Sequence, residues 1–315
     1  MTRRSLATVG EGQIRLTLPA GVTFERAAQL NITTAGSELN VATLLARVGW
    51  ETRWHSILPR SPLGRRIVAD VEAAGCEAVV TWREEGRVAL YWLDPGNGPI
   101  SASVTYDREH TPFREMTVED LDWGRLLGSD VVYLSGITAA LTPATGAVVQ
   151  AVAQRAKESG SYVVFDVNHR DKLWSVGAAV VFLESVSAST DLVFCSVRDA
   201  GKLLGITGDD GRDVAARLRA TLGVPEVVVS HGTLPVAYAS AAAAAVAPVL
   251  ATPVRDRPGA GDAFIAGFLA DPSADPETRL KMATRAAAHA LSQFGDQTHV
   301  TLDQLRTPLG GGIDR

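Results

Sequence analysis

Two glycines and an aspartate stand close together in the stretch Arg257-Pro258-Gly259-Ala260-Gly261-Asp262-Ala263-Phe264-Ile265-Ala266-Gly267-Phe268. Pro258 fixes φ just upstream. Gly259 and Gly261 permit backbone shapes that a Cβ forbids. The run 263–270 is uniformly small and apolar, which predicts a buried helix. A glycine turn feeding a helix leaves N–H groups at the positive end of the helix dipole, and that is an anion site. A carboxylate placed there would repel the anion, unless it serves as base for an incoming hydroxyl. The pattern therefore suits phosphoryl transfer to an alcohol. The N–H groups of Gly259, Ala260 and Gly261 would hold the moving charge, and Asp262 would take the proton. The plainer alternative is a helix start with an aspartate in its first turn.

The elements that must carry this turn follow from periodicity. Residues 6–9 read as a buried strand ending in Gly10-Glu11-Gly12, and 13–18 as a half-exposed strand. Ala35-Gly36-Ser37-Glu38-Leu39-Asn40 opens a helix over 41–49, with Ser37 as its cap. Small residues there, Gly36 with Asn40 one turn in, either start an ordinary helix or let a ligand hydroxyl approach the backbone. A strand at 52–59 and a helix at 62–74 come next. Residues 87–93 and 100–106 alternate in period two around a turn at 95–99, which predicts an antiparallel hairpin. With 13–18 it would form a lid, taken as about 13–18 and 87–110. Strands at 130–134, 162–167, 191–195 and 227–230 then alternate with helices at 143–159, 178–187, 197–204 and 213–222. This rhythm implies an α/β fold with a parallel sheet covered on both faces. Ligands in such folds sit beyond the carboxyl ends of strands. Gly136, Asn168, Arg170, Ser196, His231 and Gly232 occupy those ends. The alanine-rich 237–251 reads as two strands and a loop. No linker or internal repeat divides 1–315, so one domain with a lid is expected.

Composition narrows the class. The chain has 315 residues, 46% hydrophobic and 21% charged, with a net charge of −5. No like-charge block is long enough for nonspecific nucleic-acid binding. No stretch reads as a membrane span, and 1–5 lacks the apolar core of a signal peptide. Cys76 and Cys195 lack metal-ligand spacing and read as buried reduced thiols, which fits a cytoplasmic protein.

The string Asp256-Arg257-Pro258-Gly259-Ala260-Gly261-Asp262-Ala263-Phe264 resembles the signature D-S/T-T-G-A-G-D-A-F of the ribokinase-like (PfkB) sugar kinases. Three further stretches resemble their 2-keto-3-deoxygluconate kinase branch. These are Tyr133-Leu134-Ser135-Gly136-Ile137-Thr138-Ala139-Ala140-Leu141, Asp166-Val167-Asn168-His169-Arg170-Asp171-Lys172-Leu173-Trp174, and Tyr106-Asp107-Arg108. The resemblance implies a three-layer α/β/α ribokinase-like fold with a mainly parallel central sheet and a small β-sheet lid. It implies ATP and Mg²⁺ in the cleft, and a primary hydroxyl of a sugar or sugar acid as acceptor. The best expectation is 2-keto-3-deoxygluconate; the alternatives are fructose, ribose, a nucleoside, or a binding-only homologue. A sugar acid needs a cation for its carboxylate, and Arg pairs with one through two parallel bonds. Arg108 on the lid and Arg170 past a strand are the candidates, with γ-phosphate as the other role for Arg170. Tyr91 and Tyr106 would lie against the sugar, or Tyr91 would only pack the lid. Asn168 would orient metal-bound water or a phosphate oxygen, or form an Asx turn. Ser196, Ser230, His231 and Gly232 fall on the nucleotide side, where His289 is either a pocket residue or a plain helix-face histidine. Relatives pair through lids, so a homodimer is a further expectation.

Several positions depart from the family pattern. Ser196-Val197-Arg198-Asp199 replaces N-x-x-E, which leaves Asp199 to act on the metal through water. Leu58-Pro59-Arg60-Ser61-Pro62-Leu63-Gly64 replaces L-G-D-D-x-F-G, Ala35-Gly36 replaces Gly-Gly, and Ser230 replaces a Lys. Asp107 brings an acid next to Arg108. Arg257-Pro258 replaces two hydroxyl residues and argues against activation by bound potassium. The changes cluster at the expected site, which points to an altered substrate or, as the alternative, an inactive homologue.

Overall fold

The computed structural model describes residues 4–96 and 100–308. Residues 1–3 and most of the turn expected at 95–99 lie outside them. A nine-stranded sheet runs in the order β13-β12-β11-β10-β9-β8-β1-β4-β5. Its strands are β1 (Ser5–Val9), β4 (Glu51–Pro59), β5 (Glu77–Arg83), β8 (Val131–Ser135), β9 (Tyr162–Asp166), β10 (Leu192–Ser196), β11 (Glu226–His231), β12 (Leu234–Ser240) and β13 (Ala244–Ala247). Every pairing from β11 across to β5 is parallel, and β12 and β13 close one edge as an antiparallel hairpin. The chain starts in the middle at β1, builds outwards through β4 and β5, then returns to β8 on the other side. The carboxyl ends of β1 and β8 therefore flank a topological switch point.

Strand side chains alternate between two cores, as period two demands. Leu6, Tyr133, Val164, Phe194 and Val228 face one core with helices α1 (Ser37–Arg47), α2 (Pro62–Ala73), α9 (Ala260–Leu269), α10 (Pro276–Leu291) and α11 (Leu302–Arg306). Ala7, Val132, Val163, Val193 and Val227 face the other. There they meet α3 (Trp123–Leu127), α4 (Gly136–Ala139), α5 (Pro143–Glu158), α6 (Val176–Ser187), α7 (Val197–Leu204) and α8 (Gly211–Leu222). Three helices start on the same device. Ser61, Thr142 and Asp275 cap α2, α5 and α10 through their side chains, each followed by Pro at the first helical position.

A second sheet, β3-β2-β6-β7, stands apart. It holds β2 (Gln13–Thr17), β3 (Asn31–Ala35), β6 (Ala89–Asp94) and β7 (Ser103–Asp107). β6 and β7 form the expected antiparallel hairpin, and β2 joins it in parallel. Strand β3 was not legible in the sequence; it pairs with β2 and leads directly into α1. Nor is β2 half-exposed as its alternation suggested, because Gln13, Ile14 and Arg15 are all buried. Helix α1 begins at Ser37, with Gly36 in the cap position rather than Ser37. Among the described residues, no helix is long and apolar enough to cross a membrane.

Candidate active site

The glycine turn sits where α9 begins. Gly259 has φ +84°, and a Cβ there would lie 2.2 Å from the Asp296 carbonyl oxygen. Glycine is therefore demanded twice, by conformation and by space. Its carbonyl accepts from Ala263 N–H at 2.8 Å, which starts the helix. The Ala260 N–H already donates to the Arg257 carbonyl at 3.3 Å. This corrects the expectation that all three turn amides point at the anion. Gly261 is the open position, with nothing within 4 Å of where its Cβ would be.

Asp262 lies in the first turn of α9. Its Oδ1 accepts from Ser37 Oγ and its Oδ2 from Asn40 Nδ2, both at 2.7 Å. Ser37 and Asn40 share one face of α1 because three residues make nearly a full turn. Asn168, with φ +36°, donates from Nδ2 to Ser37 Oγ at 3.1 Å and to Ser135 Oγ at 3.2 Å. Asparagine tolerates this left-handed backbone better than most residues. Burial pushes the Asp262 carboxyl up to about 6, while the Asn40 and Ser37 bonds pull it back. A carboxylate tuned this close to neutrality suits a general base. Asp166, at the end of β9, goes further. Burial and then the Asp262 charge push it up to about 8. Two neighbouring acids are thus driven apart in proton affinity.

Two cavities meet at this point. One of about 410 Å³ is roofed by the lid and lined by Gly36, Asn40, Tyr91, Tyr106 and Asp262. The other, of about 340 Å³, runs between α9, α10 and the ends of β10 and β11. Ser196, Asp199, Ser230 and Gly232 form its polar side, and Val249, Phe264, Ala287 and Leu291 its apolar side. Asp166, Asn168, Arg170 and Gly261 line both. Arg170 is exposed at this seam, and its guanidinium has no partner among the described residues. Asp199 accepts from Arg198 Nε at 3.0 Å, and Ser196 Oγ caps α7 by accepting from the Asp199 N–H.

Three expected residues lie elsewhere. Arg108 is buried and ion-paired with Glu11 at 2.5 Å, while Thr111 Oγ1 donates to the same carboxylate at 2.9 Å. Its charge neutralises an acid sealed under the turn after β1, so it is not offered to a ligand. His231 does not line the cavity of about 340 Å³ although its neighbours Ser230 and Gly232 do. His289 is turned off the cavity that Ala287 and Ala288 line, and burial lowers its proton affinity. Tyr91 lines the lid cavity, but its hydroxyl is already used, donating to Asp296 at 2.6 Å. Sequence reasoning missed Ser37 as a partner of Asp262, although its i, i+3 spacing to Asn40 was a readable signal. Asp166 stood in a quoted motif and was given no role. Asp296, which walls the turn, carried no local signal at all.

The sequence pattern of the pfkB family carbohydrate kinases matches residues 3–302 of this chain. The chain belongs to that family. A 2-dehydro-3-deoxygalactonokinase from Haloferax volcanii is 34% identical over 315 residues, spanning 98% of this kinase and 99% of that one. A 2-dehydro-3-deoxygluconokinase from Haemophilus influenzae is 26% identical over 280 residues, spanning 84% and 86% of the two chains. The crystal structure of a PfkB family carbohydrate kinase from Listeria grayi matches with a TM-score of 0.90 at 26% identity, over 96% of this kinase and 98% of that chain. The resemblance in the strings around Asn168 and Asp262 thus extends over the whole chain. The fold is the ribokinase-like one, with a mostly parallel central sheet, flanking helices and a smaller separate sheet.

Proposed function

We propose that this carbohydrate kinase transfers the γ-phosphoryl group of ATP to the primary hydroxyl of a 2-keto-3-deoxy sugar acid, the gluconate or its galactonate epimer. The observation that carries the chemistry is the seam: Asp262, Asp166, Arg170 and Gly261 stand where a cavity under the lid meets a half-apolar cavity beside α10. The substrate class is supported by the acceptors named for the Haloferax and Haemophilus relatives. The adenine would lie against Ala287, Ala288 and Leu291, with Ser196, Ser230 and Gly232 towards the ribose and phosphates. The sugar lies under Tyr91 and Tyr106. Asp262 accepts the proton of the attacking hydroxyl as the oxygen bonds to the γ-phosphorus and ADP leaves. Gly261 at the helix N-terminus and the Arg170 guanidinium balance the transferring charge. The lid keeps water out, so that sugar is phosphorylated in its place.

Magnesium fits the residues present. Asp166 and Asp199 line the nucleotide-side cavity, and Asp166 is a half-buried acid without a cation bonded to it. These two would hold the ion through water, and when bound it neutralises charge on the β- and γ-phosphates. Two copies would pair through the lid, where Phe24 and Ile32 stand exposed; sedimentation reads that outcome.

A coupled ADP-release assay over sugar acids, fructose, ribose and nucleosides tests the reading. The highest kcat/KM is expected for a 2-keto-3-deoxy sugar acid. Turnover of neutral sugars alone overturns the substrate class. No turnover at all, with ligand-dependent thermal stabilisation, overturns the kinase mechanism in favour of a binding protein.

A further inference from the structure

We propose that Arg257 binds the substrate carboxylate and so sets the preference of this site for acidic sugars; this rests on the sugar-acid reading above. The expected carboxylate binder, Arg108, is spent on Glu11. Arg15, the other buried arginine near the site, is spent on Asp256 at 2.5 Å and Asp296 at 2.9 Å. Among the described residues, two arginines line the lid cavity with no side-chain partner: Arg170 and Arg257.

Their positions divide two tasks between them. Arg170 lines both cavities, so it faces the phosphoryl group in transit. Arg257 does not line the nucleotide-side cavity. It lines the lid cavity and a neighbouring one of about 1150 Å³ that continues along the same face of the lid, past Thr17 and Leu93. Leu93, Ala102 and Pro258 are shared by the same two cavities, so Arg257 stands at the passage between them.

The chemistry of the acceptor fits that placement. A 2-keto-3-deoxy hexonic acid carries its carboxylate and its primary hydroxyl at opposite chain ends. The hydroxyl must reach Asp262 at the seam. The carboxylate then points away from the nucleotide, towards that passage. It must also be kept from Asp166, Asp262 and Asp296, which all line the same cavity. A free guanidinium at the far end does both, attracting the acid and fixing its direction. Pro258 disfavours helical backbone at Arg257, which stands outside α9.

The test measures KM and titrated affinity for a 2-keto-3-deoxy sugar acid in wild type, Arg257→Ala, Arg257→Lys and Arg170→Ala. A non-hydrolysable ATP analogue is present in the titrations. Arg257→Ala should weaken acid binding by about 10- to 100-fold, the worth of a charge-assisted pair, with the loss mainly in KM. Arg257→Lys should restore part of it, and Arg170→Ala should lose mainly kcat. A merely structural role would not give this split or the lysine rescue. Unchanged acid affinity in a folded Arg257→Ala protein, with wild type active on the acid, overturns the proposal alone. Wild type that neither binds nor phosphorylates any sugar acid overturns the reading beneath it as well.

Discussion

Asp262 is held between opposing influences, since burial raises its proton affinity and two hydrogen bonds lower it. The balance leaves it near about 6. Because the folded value is raised, the base form is present above that pH and is lost as pH falls through it. The acid limb of kcat/KM against pH should therefore have its midpoint near 6. Ser37→Ala removes a bond to the ionised form, so the midpoint should move up by about 0.5 to 1 pH unit. A midpoint that stays put in the variant would detach Ser37 from the base. Asp262→Asn should keep nucleotide binding and lose turnover by about 10²- to 10⁴-fold. Near wild-type kcat in that variant would remove Asp262 from the proton-accepting role. At this scale the sequence was readable where a conformation depends on neighbours along the chain, as for the glycine turn at Gly259 and the place of Asp262 in the first turn of α9. It failed for Arg108, whose partner Glu11 lies 97 residues away.

Helix α9 is the element that aims Asp262, and its seat is α10. A Cβ on Gly267 would fall 2.7 Å from Ala286 Cβ and 2.8 Å from the Met282 carbonyl oxygen. Alanine gains about 1 kcal/mol of helix propensity over glycine. Against it stands backbone of a packed helix, which cannot turn aside as a side chain can. Overpacking of this kind costs about 1–3 kcal/mol, so the clash should win. Gly267→Ala is expected to lower the midpoint of urea unfolding and to shift Asp262 enough to reduce kcat. A stabilised variant would mean that the two helices part easily. The uniform apolar run of α9 announced burial in the sequence. The contact with α10 that demands glycine at one position did not, because it depends on how two helices cross.

The lid and the body are joined through a buried charge cluster. Arg15 on β2 reaches Asp256, just before the glycine turn, and Asp296, which also accepts from Tyr91. Removing one member of a buried pair leaves unpaired charge and costs about 3–5 kcal/mol. Arg15→Ala should lose stability of that order in denaturant unfolding. It should also raise ATP hydrolysis in the absence of sugar, because a loosened lid admits water. A variant as stable as wild type, with no added hydrolysis, would leave the lid held by strand pairing alone.

The amino-acid sequence by itself determined the α/β rhythm, the lid hairpin and the glycine-aspartate turn. Each is written in local periodicity or in residues adjacent along the chain. Tertiary structure alone decided which charges are free. Arg15 and Arg108 are buried against acids brought from remote segments, while Arg170 and Arg257 are left facing a cavity. The physical reason is that a charge is spent or available according to what lies within a few ångströms, and only folding sets that distance.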